Sequence, residues 1–122
     1  KKIQDGKWEV YIDNGREPTG LDVVEWAKKV ELLGAGEIML TSIDQEGTKK
    51  GMDIELNKLV SESVTIPIIS SGGVGKKEDV DELILSTSVD GIALASVLHY
   101  NLLEMKGLKE YLSQNNEIEI RK

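Results

Sequence analysis

The sequence predicts an α/β fold in which parallel strands alternate with helices. Residues 37–43, 66–70 and 91–95 form short runs that are apolar at nearly consecutive positions, the pattern of strands buried on both faces. The segments between them place apolar residues at helical spacing. Each run passes through a loop into a helix, which is the order of βαβ units with right-handed crossovers.

Before the first run, residues 8–12 alternate apolar and polar and lead to Asp13-Asn14-Gly15, which reads as a β-ribbon arm and its turn over residues 1–18. In the first helix, Val23, Trp26, Ala27, Val30 and Leu33 form an apolar stripe, with Asp22, Glu25, Lys28, Lys29 and Glu31 on the other face. Thr19-Gly20-Leu21-Asp22 is positioned to cap its start, with a Thr oxygen on an orphan N–H and a carboxylate in the first turn. Gly34 and Gly36 end it. A second helix is expected over residues 53–63 with Ile54, Leu56, Leu59 and Val60 inward, and a third over 76–85 with Val80, Leu83 and Ile84 inward. Residues 96–100 read as a single helical turn. A final helix over 103–113 is expected to bury Met105, Leu108 and Leu112.

The 122 residues suit one domain or part of a larger one. A hydrophobic fraction of 39% beside 30% charged residues is that of an ordinary globular protein. The net charge of −7 argues against a nucleic-acid groove, though not against a small phosphorylated ligand held by backbone N–H groups. No run approaches the roughly 18–20 apolar residues of a membrane span. No signal-peptide core is present, so a cytoplasmic protein is expected. The absence of Cys removes disulfides and thiolate zinc sites. Three βα units cannot close a barrel of about eight strands. The chain is therefore either a small open α/β domain or part of a (β/α)8 barrel, incomplete on its own, with sheet edges that invite pairing.

Ligands of parallel α/β folds bind beyond the C-terminal strand ends. After the first strand lie Thr41, Ser42, Asp44, Glu46 and Gly47; after the second, Ser70-Ser71-Gly72-Gly73-Val74-Gly75; after the third, Ala95-Ser96. The last two loops are made of small residues that let a ligand approach backbone N–H groups at a helix start, which favours a phosphate. Read alone, the Gly pair is equally a tight turn. Asp44 suits a loop cap or a proton-transfer group. The single His99 cannot make a multi-His metal centre and reads as a packed, hydrogen-bonded side chain. Glu37, at the opposite strand end, reads as a solvated residue or ion-pair partner. The Lys49-Lys50 and Lys76-Lys77 pairs read as solvated, with Lys49 able to steer an anion. No nucleophile elbow, Walker A or dinucleotide fingerprint occurs in its required context. No metal or cofactor is expected.

The residues Gly34-Ala35-Gly36-Glu37-Ile38-Met39-Leu40-Thr41-Ser42-Ile43-Asp44, Gly47-Thr48-Lys49, Ile66-Pro67-Ile68-Ile69-Ser70-Ser71-Gly72-Gly73 and Ala93-Leu94-Ala95-Ser96-Val97-Leu98-His99-Tyr100 resemble the cyclase subunits of imidazole glycerol phosphate synthases. The likeness runs from about Gly6 to Arg121. It implies the C-terminal part of a (β/α)8 TIM barrel, strands six to eight, with residues 1–18 as an arm after the fifth strand. It further implies a glutaminase partner whose ammonia crosses the barrel. Ammonia then reacts with a phosphoribulosyl-formimino aminoimidazole carboxamide ribotide, giving imidazole glycerol phosphate and aminoimidazole carboxamide ribotide in histidine biosynthesis.

By the same resemblance, Glu46, Gly47, Gly72, Gly73, Ala95 and Ser96 match phosphate- or substrate-binding positions. Thr41 and Asp44 match polar groups facing the substrate, and Glu37 matches a residue of an ammonia gate. The family's catalytic pair of Asp residues lies on strands one and five. The second would fall immediately before Lys1, so this chain alone is expected to be inactive and to need the remaining barrel half or self-association. Asp44-Gln45-Glu46-Gly47 replaces the commoner Asp-Arg-Asp-Gly, and the segment ending in Tyr100 lacks the usual Phe. Both differences are similar to an ammonia-using amidation branch of surface-polysaccharide sugar synthesis. A phosphate-binding half-barrel without catalysis is a third reading.

Overall fold

In a computed structural model that describes residues 1–115, the chain opens with three antiparallel strands, β1 (Lys2–Gln4), β2 (Lys7–Ile12) and β3 (Glu17–Asp22), in the order β1-β2-β3. The β2–β3 turn places Asp13 and Asn14 at φ 48° and 53°, a left-handed conformation that short polar side chains tolerate. The antiparallel segment thus runs beyond residue 18 to Asp22. Thr19, expected to help cap the following helix, lies in β3, where its hydroxyl donates to the Val10 carbonyl at 2.6 Å. Asp22 alone caps helix α1 (Val23–Leu32), accepting from Val24 N at 2.9 Å and Glu25 N at 3.1 Å.

The other strands are β4 (Ile38–Thr41), β5 (Ile68–Ser71) and β6 (Gly91–Ala93), all parallel and ordered β4-β5-β6. Leu40 is in register with Ser70, and Ser70 with Ile92. Helices α2 (Ile54–Ser61), α3 (Lys77–Ser86), the single turn α4 (Ser96–His99) and α5 (Met105–Asn115) complete the units. The result is part of a (β/α) barrel, open at both sheet edges among the described residues.

One core cluster joins Trp8, Ala27, Leu40, Leu56, Val60 and Ile68. The arm's tryptophan thus packs under α1 and α2, and its Nε1 donates to Asp53 Oδ2 at 3.0 Å. A second cluster gathers Met52, Val74, Val80, Leu83, Val97, Leu108 and Leu112.

Several expected core positions fall elsewhere. The sheet is covered on one face only: Leu40, Ile68 and Ser70 are buried, whereas Met39 is 62% exposed. Three strands do not curve far enough to enclose their other face. Leu33, Leu59 and Met105 are exposed: Leu33 is the C-cap past α1 and Met105 opens α5, while Leu59 lies beside the buried stripe of Leu56 and Val60. Asn57 is buried in α2 instead, its Nδ2 donating to the Asp53 carbonyl at 2.8 Å. Residues 116–122, which include the end of the family resemblance at Arg121, lie outside the described residues.

Candidate phosphate site at the strand ends

The β4–α2 loop folds back on itself, with Gln45 N and Glu46 N both donating to the Ser42 carbonyl. It then crosses the β5–α3 turn, where Gly51 N donates to the Gly73 carbonyl at 2.9 Å. Gly73 sits at φ 101°, and a Cβ there would overlap the Gly51 carbonyl oxygen and approach Gln45 Cβ to 2.9 Å. Only glycine satisfies both the backbone angle and the space. On the far side of this turn, Asp79 Oδ2 accepts from Gly75 N at 2.8 Å and Lys76 N at 3.0 Å. The carboxylate of α3 thereby absorbs two orphan donors and fixes the helix entry.

After β6, the Ala95 carbonyl accepts from Leu98 N and His99 N, starting α4 at once. Glu46, Gly72, Gly73, Ala95 and Ser96 line one cleft of about 20 Å³. A space of that size takes about one water-sized group, so it would seat the terminal oxygens of a ligand rather than a ring. The Gly73 and Ser96 amides make no hydrogen bond to the described residues. Free backbone donors between small side chains are the elements of an anion site. Gly47, at φ 73°, shapes the adjoining loop without lining this cleft.

The remaining candidates lie apart. Asp44 faces a different cavity of about 350 Å³ with Asp53 and Lys2, and its Oδ2 accepts from Lys2 N at 2.6 Å. Thr41, Met39 and Glu37 border a cavity of about 870 Å³ between β4, the arm and α1, which Glu46 also reaches. That space lies along the unpaired edge of β4, and its size reflects the open edge. Glu37 precedes β4 and Thr41 ends it, which at the strand rise puts them about 13 Å apart along the sheet. His99 is exposed, with its ring edge-on to Tyr100 at 5.1 Å. It is not the packed residue expected, because α4 ends at the surface. Among the described residues no group of three or more His, Asp or Glu is placed to hold a metal ion.

Asp53, Asp79 and Gly51 escaped the sequence reading as site-shaping residues. Asp79 stands three residues after Lys76, the spacing of a capping acid, and was open to recognition on that ground. Gly51 acts through a contact distant in sequence, for which no local signal exists, whereas Asp53 is signalled locally as the start of α2 and only its link to Trp8 is distant.

The family model described as "Histidine biosynthesis protein" matches residues 2–104. The chain belongs to this family. Among curated relatives it is similar to the imidazole glycerol phosphate synthase subunit HisF of Hydrogenobaculum sp. (strain Y04AAS1), with 51% identity over 116 residues. The match covers 95% of this chain and 46% of that protein, so the chain spans about half the length of the relative. The family match takes in all three parallel strands and the cleft residues of the β4, β5 and β6 loops.

Proposed function

We propose that this chain is the C-terminal part of the cyclase subunit of an imidazole glycerol phosphate synthase. In this reading the whole protein works in the cytoplasm with a glutaminase partner that supplies ammonia. The substrate is the phosphoribulosyl-formimino aminoimidazole carboxamide ribotide, and the products are imidazole glycerol phosphate and aminoimidazole carboxamide ribotide. The observation that carries the reading is the pair of small-residue turns meeting in one cleft, with the Gly73 and Ser96 amides unused. The family match and the relative's name support it.

Gly73 N–H and Ser96 N–H donate to one phosphate of the substrate. Gly72 and Ala95 keep the approach free of side chains, and Glu46 shapes the third side, with Gly47 in the adjoining loop. Thr41 and Asp44 face the remainder of the substrate once the barrel is closed. Glu37, at the far end of β4, guards the entry of ammonia. By the family resemblance the catalytic carboxylates lie on barrel strands one and five, and the residues of these three loops supply binding and positioning.

The test is a titration of the full native-length protein with inorganic phosphate, followed by amide NMR. The Gly73 and Ser96 resonances are expected to shift together and saturably. Gly73→Ala should lose that response, and the strain and overlap should cost about 2–3 kcal/mol of stability. Shifts confined to lysine-rich surface, or none at millimolar phosphate, would refute the assignment.

A further inference from the structure

Lys49 does something the phosphate reading leaves unexplained. Its backbone has φ 58°, a left-handed conformation that a non-glycine residue without a short polar side chain rarely takes. Its carbonyl oxygen lies where a Cβ on Gly75 would be, so Lys49 is laid directly on the glycine turn. Two residues on, Gly51 N holds the Gly73 carbonyl. The Lys49 side chain leads the other way. Its Nζ stands 3.8 Å from the centre of the Tyr100 ring, close for an ammonium on an aromatic face. Tyr100 in turn donates its backbone N–H to the Ser96 carbonyl at 2.9 Å.

One residue therefore links both walls of the cleft: it meets the Gly73–Gly75 wall through its backbone, and the Ala95–Ser96 wall indirectly, through the Tyr100 ring on the turn that follows Ser96. The ammonium pairs with no carboxylate among the described residues, so the ring is its recorded partner. We infer that Lys49, stacked on Tyr100, is a positioning residue that sets the separation of the Gly73 and Ser96 amides and thereby the affinity of the cleft for phosphate. The inference rests on the phosphate assignment above. It differs from direct capture of the anion by Lys49, because a lysine that binds the ligand itself has no need of the ring.

The two mechanisms separate in a double-mutant cycle on the full native-length protein, with inorganic phosphate as the probe and calorimetric Kd as the readout. Lys49→Met and Tyr100→Leu should each weaken binding about three- to tenfold. The double variant should bind no worse than either single one, and Tyr100→Phe should stay within about twofold of the parent. Tyr100→Leu with unchanged or tighter binding overturns the inference, as do losses that multiply in the double variant. Lys49→Gly, whose backbone suits the positive φ, gives a folded control and should bind as weakly as Lys49→Met; parent-like binding by it would count against the side chain's role. If the parent protein itself fails to bind phosphate at Gly73 and Ser96, the phosphate assignment falls and the positioning role falls with it. If the parent binds and Tyr100→Leu binds equally, only the positioning role falls.

Discussion

Glu31 shows how much one carboxylate can organise from the end of a helix. Its Oε1 accepts from Thr65 Oγ1 at 2.6 Å, Thr65 N at 2.7 Å and Ile66 N at 3.1 Å, tying the end of α1 to the segment that enters β5. The Thr65 hydroxyl, followed by the Thr65 and Ile66 amides, holds the carboxyl below its ordinary value of 4.5. The folded chain therefore binds this proton less readily than the unfolded chain. The stabilisation is fully present above pH 4.5 and is lost as pH falls through the lower folded value. Glu31→Gln should be less stable than the parent at neutral pH, with the gap closing in acid. Urea midpoints measured across that range check it, and a gap independent of pH would refute it. Helical spacing put Glu31 on the solvent face of α1. Spacing says which way a side chain sets out, but not that its far end will meet the next strand.

At the scale of elements, the arm is fastened by one indole. Trp8 is 1% exposed and its Nε1 meets Asp53, whose other oxygen accepts from Leu56 N at 3.1 Å at the start of α2. A single carboxylate thus joins the arm to the helix cap. Trp8→Phe, which keeps most of the apolar volume and removes the donor, should cost about 1–3 kcal/mol. Trp8→Ala should cost about 3–5 kcal/mol. Chemical denaturation of the two variants separates the hydrogen bond from the packing, and a Trp8→Phe variant as stable as the parent would deny Asp53 its linking part.

The elements themselves are largely legible in the sequence. The apolar runs locate β4, β5 and β6 to within a few residues, and the Leu56–Val60 and Val80–Leu83 pairs mark the buried faces of α2 and α3. Gly72, Gly73, Ala95 and Ser96 line one cleft as the small residues at their strand ends suggest, and Glu46, which the family resemblance singles out, borders the same cleft. The misplaced residues share a cause. Burial of Met39 and Met105 depends on what lies opposite them, and apolar character alone does not report that. Likewise Asp44 carries the right chemistry, yet its partner in this chain is the backbone of Lys2.

At the scale of the molecule, the decisive feature among the described residues is a parallel sheet with two unpaired edges and one bare face. Parallel sheets are stable when both faces are covered, and open edges recruit further strands. The 122-residue chain on its own should associate, and sedimentation should show dimers or larger species whose share grows with concentration. Met39→Lys, which sets a charge on the bare face, should shift that balance towards monomer. A parent chain that remains monomeric at high concentration would contradict the expectation.

The two indoles of this chain occupy opposite circumstances. Trp8 is sealed in the core, while Trp26 borders the large cavity beside β4. Their fluorescence should therefore divide into a steady blue component and a redder one that senses the flank of β4. A ligand or chain segment seated on that flank should dry Trp26 and move only its share of the emission, which makes the indole an internal optical gauge of that surface.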